Sequence, residues 1–180
     1  VELVCLSEPI IVGPGIKTGL EILIDNPAQL GSDMVSNAVA AIAQYPKPII
    51  IFDMGTATTI SVINEKGQFL GGAIVPGVRT SLEALSQRAA QLPHIAIEAP
   101  ARVVGANTVE SMQSGIVYGT ASMIDGMAKR IEAETGFTAT VVATGGLSRE
   151  ICRHVAHRVE HNADLLLQGL YLLYNKNKNK

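Results

Sequence analysis

The sequence predicts an α/β fold in which helices flank a mixed sheet. Residues 49–52 are uniformly apolar and β-branched or aromatic, as expected for a strand that is covered on both faces. An alternating segment at 58–64, a turn at 64–67 and a returning segment at 68–75 predict a β-hairpin immediately after that strand. Apolar residues with helical spacing lie on both sides of the hairpin.

Two elements are predicted before the hairpin. Residues 9–12 are strand-like, and residues 34–43 place apolar side chains at helical spacing. Ser32 or Asp33 is the expected N-cap of this helix, because both side chains accept hydrogen bonds from the free N–H groups of a first turn.

Four helices and one strand are predicted after the hairpin. They are helices at 78–90, at 109–135, from about Arg149 and at 164–174, and a strand at 138–143. The first of these helices should bury Leu82 and Leu85. Asn107 or Thr108 is the expected cap of the long second helix. Residues 175–180 are polar and of low complexity, so we expect a solvated tail.

Composition limits the class of protein. A chain of 180 residues with 47% hydrophobic and 17% charged residues can fill one core. The formal net charge of -2 gives no footprint for nucleic acid, and no apolar run is long enough to span a membrane. Cys5 and Cys152 are far apart, so neither a zinc site nor a disulfide framework is indicated. We expect a cytoplasmic protein.

The first strand ends in an acidic, hydroxyl-rich turn that is typical of phosphate binding. Gly55 lets a phosphate approach the backbone, while Thr56, Thr58 and Thr59 offer hydroxyl donors. Asp53 is a candidate ligand for a cation that offsets phosphate charge. The alternative is an ordinary β-turn, in which the same residue types are common. Because a hairpin follows, a Rossmann or Walker loop is disfavoured.

Other glycine-rich segments are further candidates for ligand contact. Lys17 lies in a loop with three glycines and either meets an anion or is simply solvated. Gly145 and Gly146 separate a strand from a helix, where a nucleotide or close helix packing would need them equally. Small residues of the long helix, including Gly115 and Gly119, indicate either core packing or a dimer interface.

Six segments give the chain a resemblance to a known family. They are GPGIKTGL at 13–20, LGSD at 30–33, DMGTATT at 53–59, GGAIVPG at 71–77, ANTVESMQSG at 106–115 and TGGLS at 144–148. In this order and spacing they are similar to the type III pantothenate kinases, from residue 9 to residue 170. The resemblance implies the actin-like ATPase superfamily, with ATP between two ribonuclease-H-like domains. Residues 1–45 would then be the end of the first domain, with a pantothenate-binding loop, and residues 46–174 the second.

The resemblance also implies an activity, which is phosphorylation of pantothenate by ATP at its 4'-hydroxyl, the first step of coenzyme A synthesis. Asp33 would be the general base. The implied contacts are Gly31, Ser32, Asp33, Met34 and Thr108 to pantothenate, Gly55, Thr56, Gly145 and Gly146 to ATP with Mg²⁺, and Asp53 to a potassium or ammonium ion. Thr108 would act across the interface of a homodimer. Protein positioning and charge stabilisation carry most of such a reaction.

Two departures from the family affect this interpretation. The family's first phosphate loop, Asp-x-Gly-Asn-Thr, has no counterpart here, so we expect a C-terminal portion that is inactive alone. Met34 stands where the family has Arg, which removes a bidentate donor. The alternative function is a catalytically degenerate relative that binds nucleotide or regulates a partner. Another actin-like phosphotransferase, such as a sugar kinase, would leave the segments at 13–20 and 31–33 unexplained.

Overall fold

A five-stranded mixed sheet forms the centre of the molecule. A computed structural model describes residues 9–89 and 92–178. The strands are β1 (Ile49–Met54), β2 (Ala57–Ile63), β3 (Phe69–Pro76), β4 (Thr140–Thr144) and β5 (Val159–His161). Their order is β3-β2-β1-β4-β5, with β1, β2 and β3 successively antiparallel and with β4 and β5 parallel to β1. This is the ribonuclease-H-like arrangement, and the predicted α/β class and hairpin are confirmed.

Within the described residues, five α-helices cover the two faces of the sheet. They are α1 (Ser32–Gln44), α2 (Val78–Arg88), α3 (Thr108–Thr135), α4 (Ser148–Cys152) and α5 (Leu165–Asn177). Side chains alternate along β1, so Ile50 and Phe52 face a core with α2, α3 and α4, whereas Ile49 and Ile51 face a core with α1 and α5. The strand β1 is thus buried on both of its faces, which explains the uninterrupted apolar run in its sequence. Within the described residues, no helix is long and apolar enough to cross a membrane.

The helix α5 is longer than predicted, and the expectation of a solvated tail is wrong for its last turn. Asn177 is only 6% exposed. Its Oδ1 accepts a hydrogen bond from the Lys17 N–H at 2.9 Å, and its Nδ2 donates to the Lys17 carbonyl at 3.0 Å. Lys176 Nζ donates to the Thr18 carbonyl at 2.7 Å. Partners 160 positions away in the chain therefore order a segment whose composition is typical of disorder.

Helices α1 and α5 lie in close contact through Gly169. A Cβ atom at Gly169 would overlap the backbone of Ser36. The same glycine is buried. Glycine here allows the two backbones to approach, so the end of the chain packs directly on the helix that carries Asp33.

Several local predictions are corrected. Residues 9–12 form no strand. The N-cap of α1 is Gly31, and neither Ser32 nor Asp33 caps it, because both lie within the first helical turn. Leu82 is buried as expected, but Leu85 is 43% exposed because it lines an open depression beside the start of α3. The three-residue strand β5 was missed, since it is too short to show an alternation.

The start of the long helix α3 matches the sequence prediction. Asn107 is its N-cap, and the Asn107 Oδ1 accepts from the Glu110 N–H at 3.0 Å. Glu110 in turn accepts from the Ala106 N–H, which completes a reciprocal cap. Gly115 and Gly119 are exposed, and no atom of the described residues lies within 4 Å of a Cβ added to either. Core packing is therefore excluded as the reason for these two glycines.

Cys5 and the beginning of the 1–45 segment lie outside the described residues.

Candidate functional site

The turn between β1 and β2 is held in place by the start of α2. The Gly55 N–H donates to the Ala57 carbonyl at 3.1 Å. The Thr56 carbonyl accepts from the Gly77 N–H at 3.0 Å and from the Thr80 Oγ1 at 2.8 Å. A side chain at Gly77 would overlap the Gly55 and Thr56 carbonyls. These contacts leave Gly55 and Thr56 exposed at a rigid edge of the sheet.

The Gly-Gly turn after β4 packs against the other side of the same segment. Gly145 has φ +96°, and a Cβ there would lie 2.6 Å from the Met54 carbonyl oxygen. Glycine is therefore required twice over, by conformation and by space. Gly146, in contrast, is exposed, and a Cβ added there would meet nothing within 4 Å in the described part of the chain. Close packing explains Gly145, whereas Gly146 faces open space where a ligand can approach.

Ser148 and His161 brace this turn from behind. Ser148 is fully buried, and its Oγ donates to the Gly145 carbonyl at 2.6 Å. His161 Nε2 lies 2.9 Å from the same Oγ. Because the single hydroxyl proton goes to Gly145, His161 acts as the donor to Ser148. Sequence reasoning did not find this pair, since the partners lie on separate elements.

The two turns form opposite walls of a cleft of about 370 Å³. Its lining includes Gly55, Thr56 and Gly146, together with Arg79, Thr80 and Glu83 from α2. The structure thus brings together three of the four residues predicted to contact ATP, and Gly145 supports the wall. An exposed hydroxyl, bare glycine backbone and a guanidinium suit a phosphate-bearing ligand.

Two of the predicted hydroxyl donors differ in their surroundings from Thr56. Thr58 is 1% exposed, and its Oγ1 has no hydrogen-bond partner among the described residues. It lies opposite Met54 on the inner face of the hairpin, so the expectation that it offers a donor to phosphate is wrong. Thr59 is half-buried opposite Asp53. Alternation along β2 therefore puts the two threonines on opposite faces of the sheet.

The predicted general base lies at the start of α1. The Gly31 carbonyl accepts from the Val35 N–H at 3.0 Å, which begins the helix. Asp33 is exposed, and its Oδ1 accepts from the Met34 N–H at 2.9 Å. A side chain at Gly31 would overlap the Asp33 carboxylate. The free N–H groups at this helix end attract a carboxylate, so the position suits an acidic side chain.

A second cavity, of about 260 Å³, lies at the start of α1. The loop from Gly13 to Ile16 forms one wall, and Leu30, Ser32 and Val35 form another. Ser32 is the predicted pantothenate contact that lines it, and Gly31, Asp33 and Met34 are its neighbours in the chain. The backbone of Lys17 is fixed by Asn177, which anchors the end of this loop.

Asp53, near the end of β1, interacts electrostatically with Asp33 at the start of α1. Burial raises the pKa of the Asp53 carboxyl above 3.8, the hydrogen bond from Asn37 lowers it, and the nearby charge of Asp33 raises it. The net direction is upward. The two carboxylates thus interact although 20 positions separate them, and a bound cation would relieve both the burial and the repulsion.

Asn37 is the residue at this site that sequence reasoning missed. Its Nδ2 donates to Asp53 Oδ2 at 2.7 Å, and the residue is 2% exposed. Its Oδ1 is buried and has no partner within 9–89 and 92–178. An amide oxygen beside a half-buried carboxylate fits the oxygen ligands that hard cations prefer. No group of three or more His, Cys, Asp or Glu among the described residues could hold a metal, so backbone or substrate oxygens would complete such a shell.

Thr108 lies apart from the other predicted residues. It lines a third, open depression of about 550 Å³ with Leu85, Ser111, Met112 and Gly115. Asp33 and Thr56 are not among the residues around it. A cavity of about 740 Å³ near the start of β4 is lined by none of the predicted site residues.

Comparison with known proteins gives consistent matches. The type III pantothenate kinase family model matches residues 2–130. A type III pantothenate kinase of an Exiguobacterium species is 50% identical over 171 residues, and one of Halalkalibacterium halodurans is 51% identical over 169 residues. Each alignment covers 94% of this chain and 66% of the relative, so the chain spans slightly less than two thirds of their length.

A solved structure has the same fold. It comes from Campylobacter jejuni and is described as a conserved Baf family transcriptional activator. The TM-score is 0.62 at 22% identity, with 88% of this chain and 70% of the other covered. At that identity the similarity shows the fold alone.

Proposed function

The chain belongs to the type III pantothenate kinase family, and on that basis we propose that its parent protein phosphorylates pantothenate with MgATP to give 4'-phosphopantothenate. The observation that carries the proposal is the electrostatic interaction of Asp33, at the start of α1, with Asp53, which directly precedes the turn that lines the nucleotide cleft. A phosphoryl transfer needs the proposed base close to the nucleotide, because acceptor and donor must meet at one point.

Asp33 is the proposed general base. The 4'-hydroxyl oxygen forms the new bond to the terminal phosphorus of ATP, the bond from that phosphorus to the bridging oxygen breaks, and ADP leaves. The hydroxyl proton passes to the Asp33 carboxylate, which is exposed and ready to accept it. Gly31, Ser32 and Met34 would surround the pantothenate.

The proposed nucleotide site uses Gly55, Thr56, Gly145 and Gly146 on the two walls of the cleft. Mg²⁺ would arrive with ATP and neutralise phosphate charge. Asp53 would bind a potassium or ammonium ion, with Asn37 fixing the orientation of its carboxylate. Half-burial of Asp53 supports this role, because an uncompensated charge there is costly.

The wider assembly is part of the same proposal. Residues 1–45 would belong to the end of a first ribonuclease-H-like domain and residues 46–174 to the second, in a cytoplasmic homodimer. The exposed glycines 115 and 119 support the dimer, because they leave a face of α3 open beside Thr108. Thr108 would then complete the pantothenate site of the other subunit, consistent with its distance from the other cavities.

The test uses the full-length protein and measures phosphopantothenate formation with MgATP and KCl. Asp33→Asn should lower kcat by about 100-fold to 10,000-fold, the usual effect of a positioned base. Asp25→Asn, an exposed acid outside the site, is the control and should retain activity. Full activity of Asp33→Asn would exclude it as the base. If calorimetry finds ATP binding without binding or phosphorylation of pantothenate, Met34 would mark a degenerate relative and the proposed function would be wrong.

A further inference from the structure

Arg79 projects from the first turn of α2 at the nucleotide cleft. It lines the cleft with Thr56 and Gly146 and is exposed. In the part of the chain that the structure describes, its guanidinium has no hydrogen bond and no ion pair, and Glu83 one turn later does not pair with it. An arginine without a partner at the wall of a cleft retains all five of its donors for a ligand.

The charge around the cleft gives Arg79 a specific role. Glu83 lines the cleft, and Asp53 directly precedes its lining residue Met54 in the chain; both side chains are acidic. A nucleoside triphosphate is a polyanion, so binding it beside these groups requires positive charge. Arg79 is the cation among the described residues that line the cleft. Met34 carries no charge beside the proposed pantothenate site. The positive charge that the nucleotide requires must therefore come from α2.

The backbone of α2 holds Arg79 in position. Thr80 Oγ1 and the Gly77 N–H both donate to the Thr56 carbonyl, so the helix start and the phosphate turn are joined. The helix has 11 residues, and its N-terminal end, where the first N–H groups are free of helical partners, is the end at the cleft. Arg79 therefore sits at a fixed distance from Thr56, and the two can contact the same phosphate chain.

We propose that Arg79 binds the polyphosphate of the nucleotide as a ligand-contacting residue. This assignment rests on the proposed function for its choice of ligand. It predicts a loss in nucleotide affinity, with acceptor affinity unchanged, because the cavity beside α1 does not include α2.

The test compares Arg79→Gln and Arg79→Lys with Arg88→Gln in the full-length protein. Arg88 is an exposed arginine in the last turn of the same helix, so it controls for net charge. A fluorescent ATP analogue reports the nucleotide Kd without pantothenate, and steady-state rates report the KM of each substrate. Arg79→Gln should raise the nucleotide Kd and the KM for MgATP by about tenfold to 100-fold, the range for a hydrogen bond to a charged group. Arg79→Lys should lose less, and Arg88→Gln should bind like the wild type.

The outcomes separate the two proposals. An unchanged nucleotide Kd in Arg79→Gln, or an equal loss in Arg88→Gln, would overturn the assignment even in an active kinase. A selective loss in Arg79→Gln would support it even in a protein that fails to phosphorylate pantothenate. An unchanged thermal midpoint of the variant shows that any loss is not due to unfolding.

Discussion

The side-chain amide of Asn37 donates a 2.7 Å hydrogen bond to Oδ2 of Asp53, which ties the middle of α1 to the end of β1. One carboxylate oxygen is thereby occupied, so Asp53 can offer its other oxygen to a ligand. The interaction is buried on the Asn37 side, where water competes little. A residue on an otherwise apolar helix face therefore sets the orientation of the predicted cation ligand.

Replacing Asn37 should weaken cation activation. Asn37→Ala removes the donor that orients Asp53, and we expect the apparent affinity for potassium to fall about tenfold, the loss of one charge-assisted bond. Stability should change by less than about 1 kcal/mol, since the lost amide also carried an unsatisfied buried oxygen. Potassium titration of the rate and of the thermal midpoint measures both effects. Ser36→Ala, at a buried neighbour that bonds only within α1, should leave the potassium response unchanged.

The raised pKa of Asp53 predicts a pH dependence of stability. Between 3.8 and the folded-state pKa, the native protein binds more protons than the unfolded chain. The free energy of unfolding should therefore decrease as pH rises through that window, and the penalty should be complete above it. Asp53→Asn should remove this component and be more stable than the wild type at pH 7 without potassium. Urea denaturation from pH 4 to pH 7 tests this, and an unchanged slope in the variant would contradict it.

Alanine at the two adjacent glycines should give opposite results. In Gly145→Ala the new side chain would sit at a positive φ and overlap the Met54 backbone. We therefore expect the free energy of unfolding to fall by about 3 kcal/mol or more. Gly146→Ala has open space and should change stability by less than about 1 kcal/mol. Chemical denaturation of both variants provides the comparison. Equal destabilisation would show that the turn tolerates no side chain for some other reason.

The contact between Asn177 and Lys17 should contribute to stability. Asn177→Ala leaves the N–H and carbonyl of Lys17 without their partner, and we expect a loss of about 2 kcal/mol. Asn175→Ala removes an exposed bond to Lys178 and should cost less than about 0.5 kcal/mol. Hydrogen exchange at the Lys17 amide is the second readout. Unaltered protection of that amide in Asn177→Ala would exclude the contact as the anchor of the loop.

Local patterns were sufficient where a residue's neighbours in the chain decide its structure. The apolar run of β1 and the alternation around the hairpin predict both elements, and Asn107 is one of the two caps expected for α3, with its bonding partner three residues later. The turn with Gly55 and Thr56 was located for the same reason. These are features whose energetics lie within a few residues.

Distant partners explain what the sequence did not show. Asn37 lies in an apolar helix pattern, and its partner Asp53 is on another element. Asn177 lies in a repetitive polar segment and becomes buried only against Lys17. Arg79 is one exposed arginine among several until the two turns close a cleft beside it. Such pairings depend on tertiary approach, for which a single sequence carries no periodic signal.

Alternation along β1 has a consequence for tolerated length changes. Asp53 faces α1 and Asn37, whereas Phe52 and Met54 on either side of it face α2 and α3. Inserting one residue into the strand would move the carboxylate to the opposite layer and an apolar side chain into its place. Inserting two would restore the facing. The side of the sheet on which Asp53 lies therefore depends on whether the number of residues before it in β1 is odd or even.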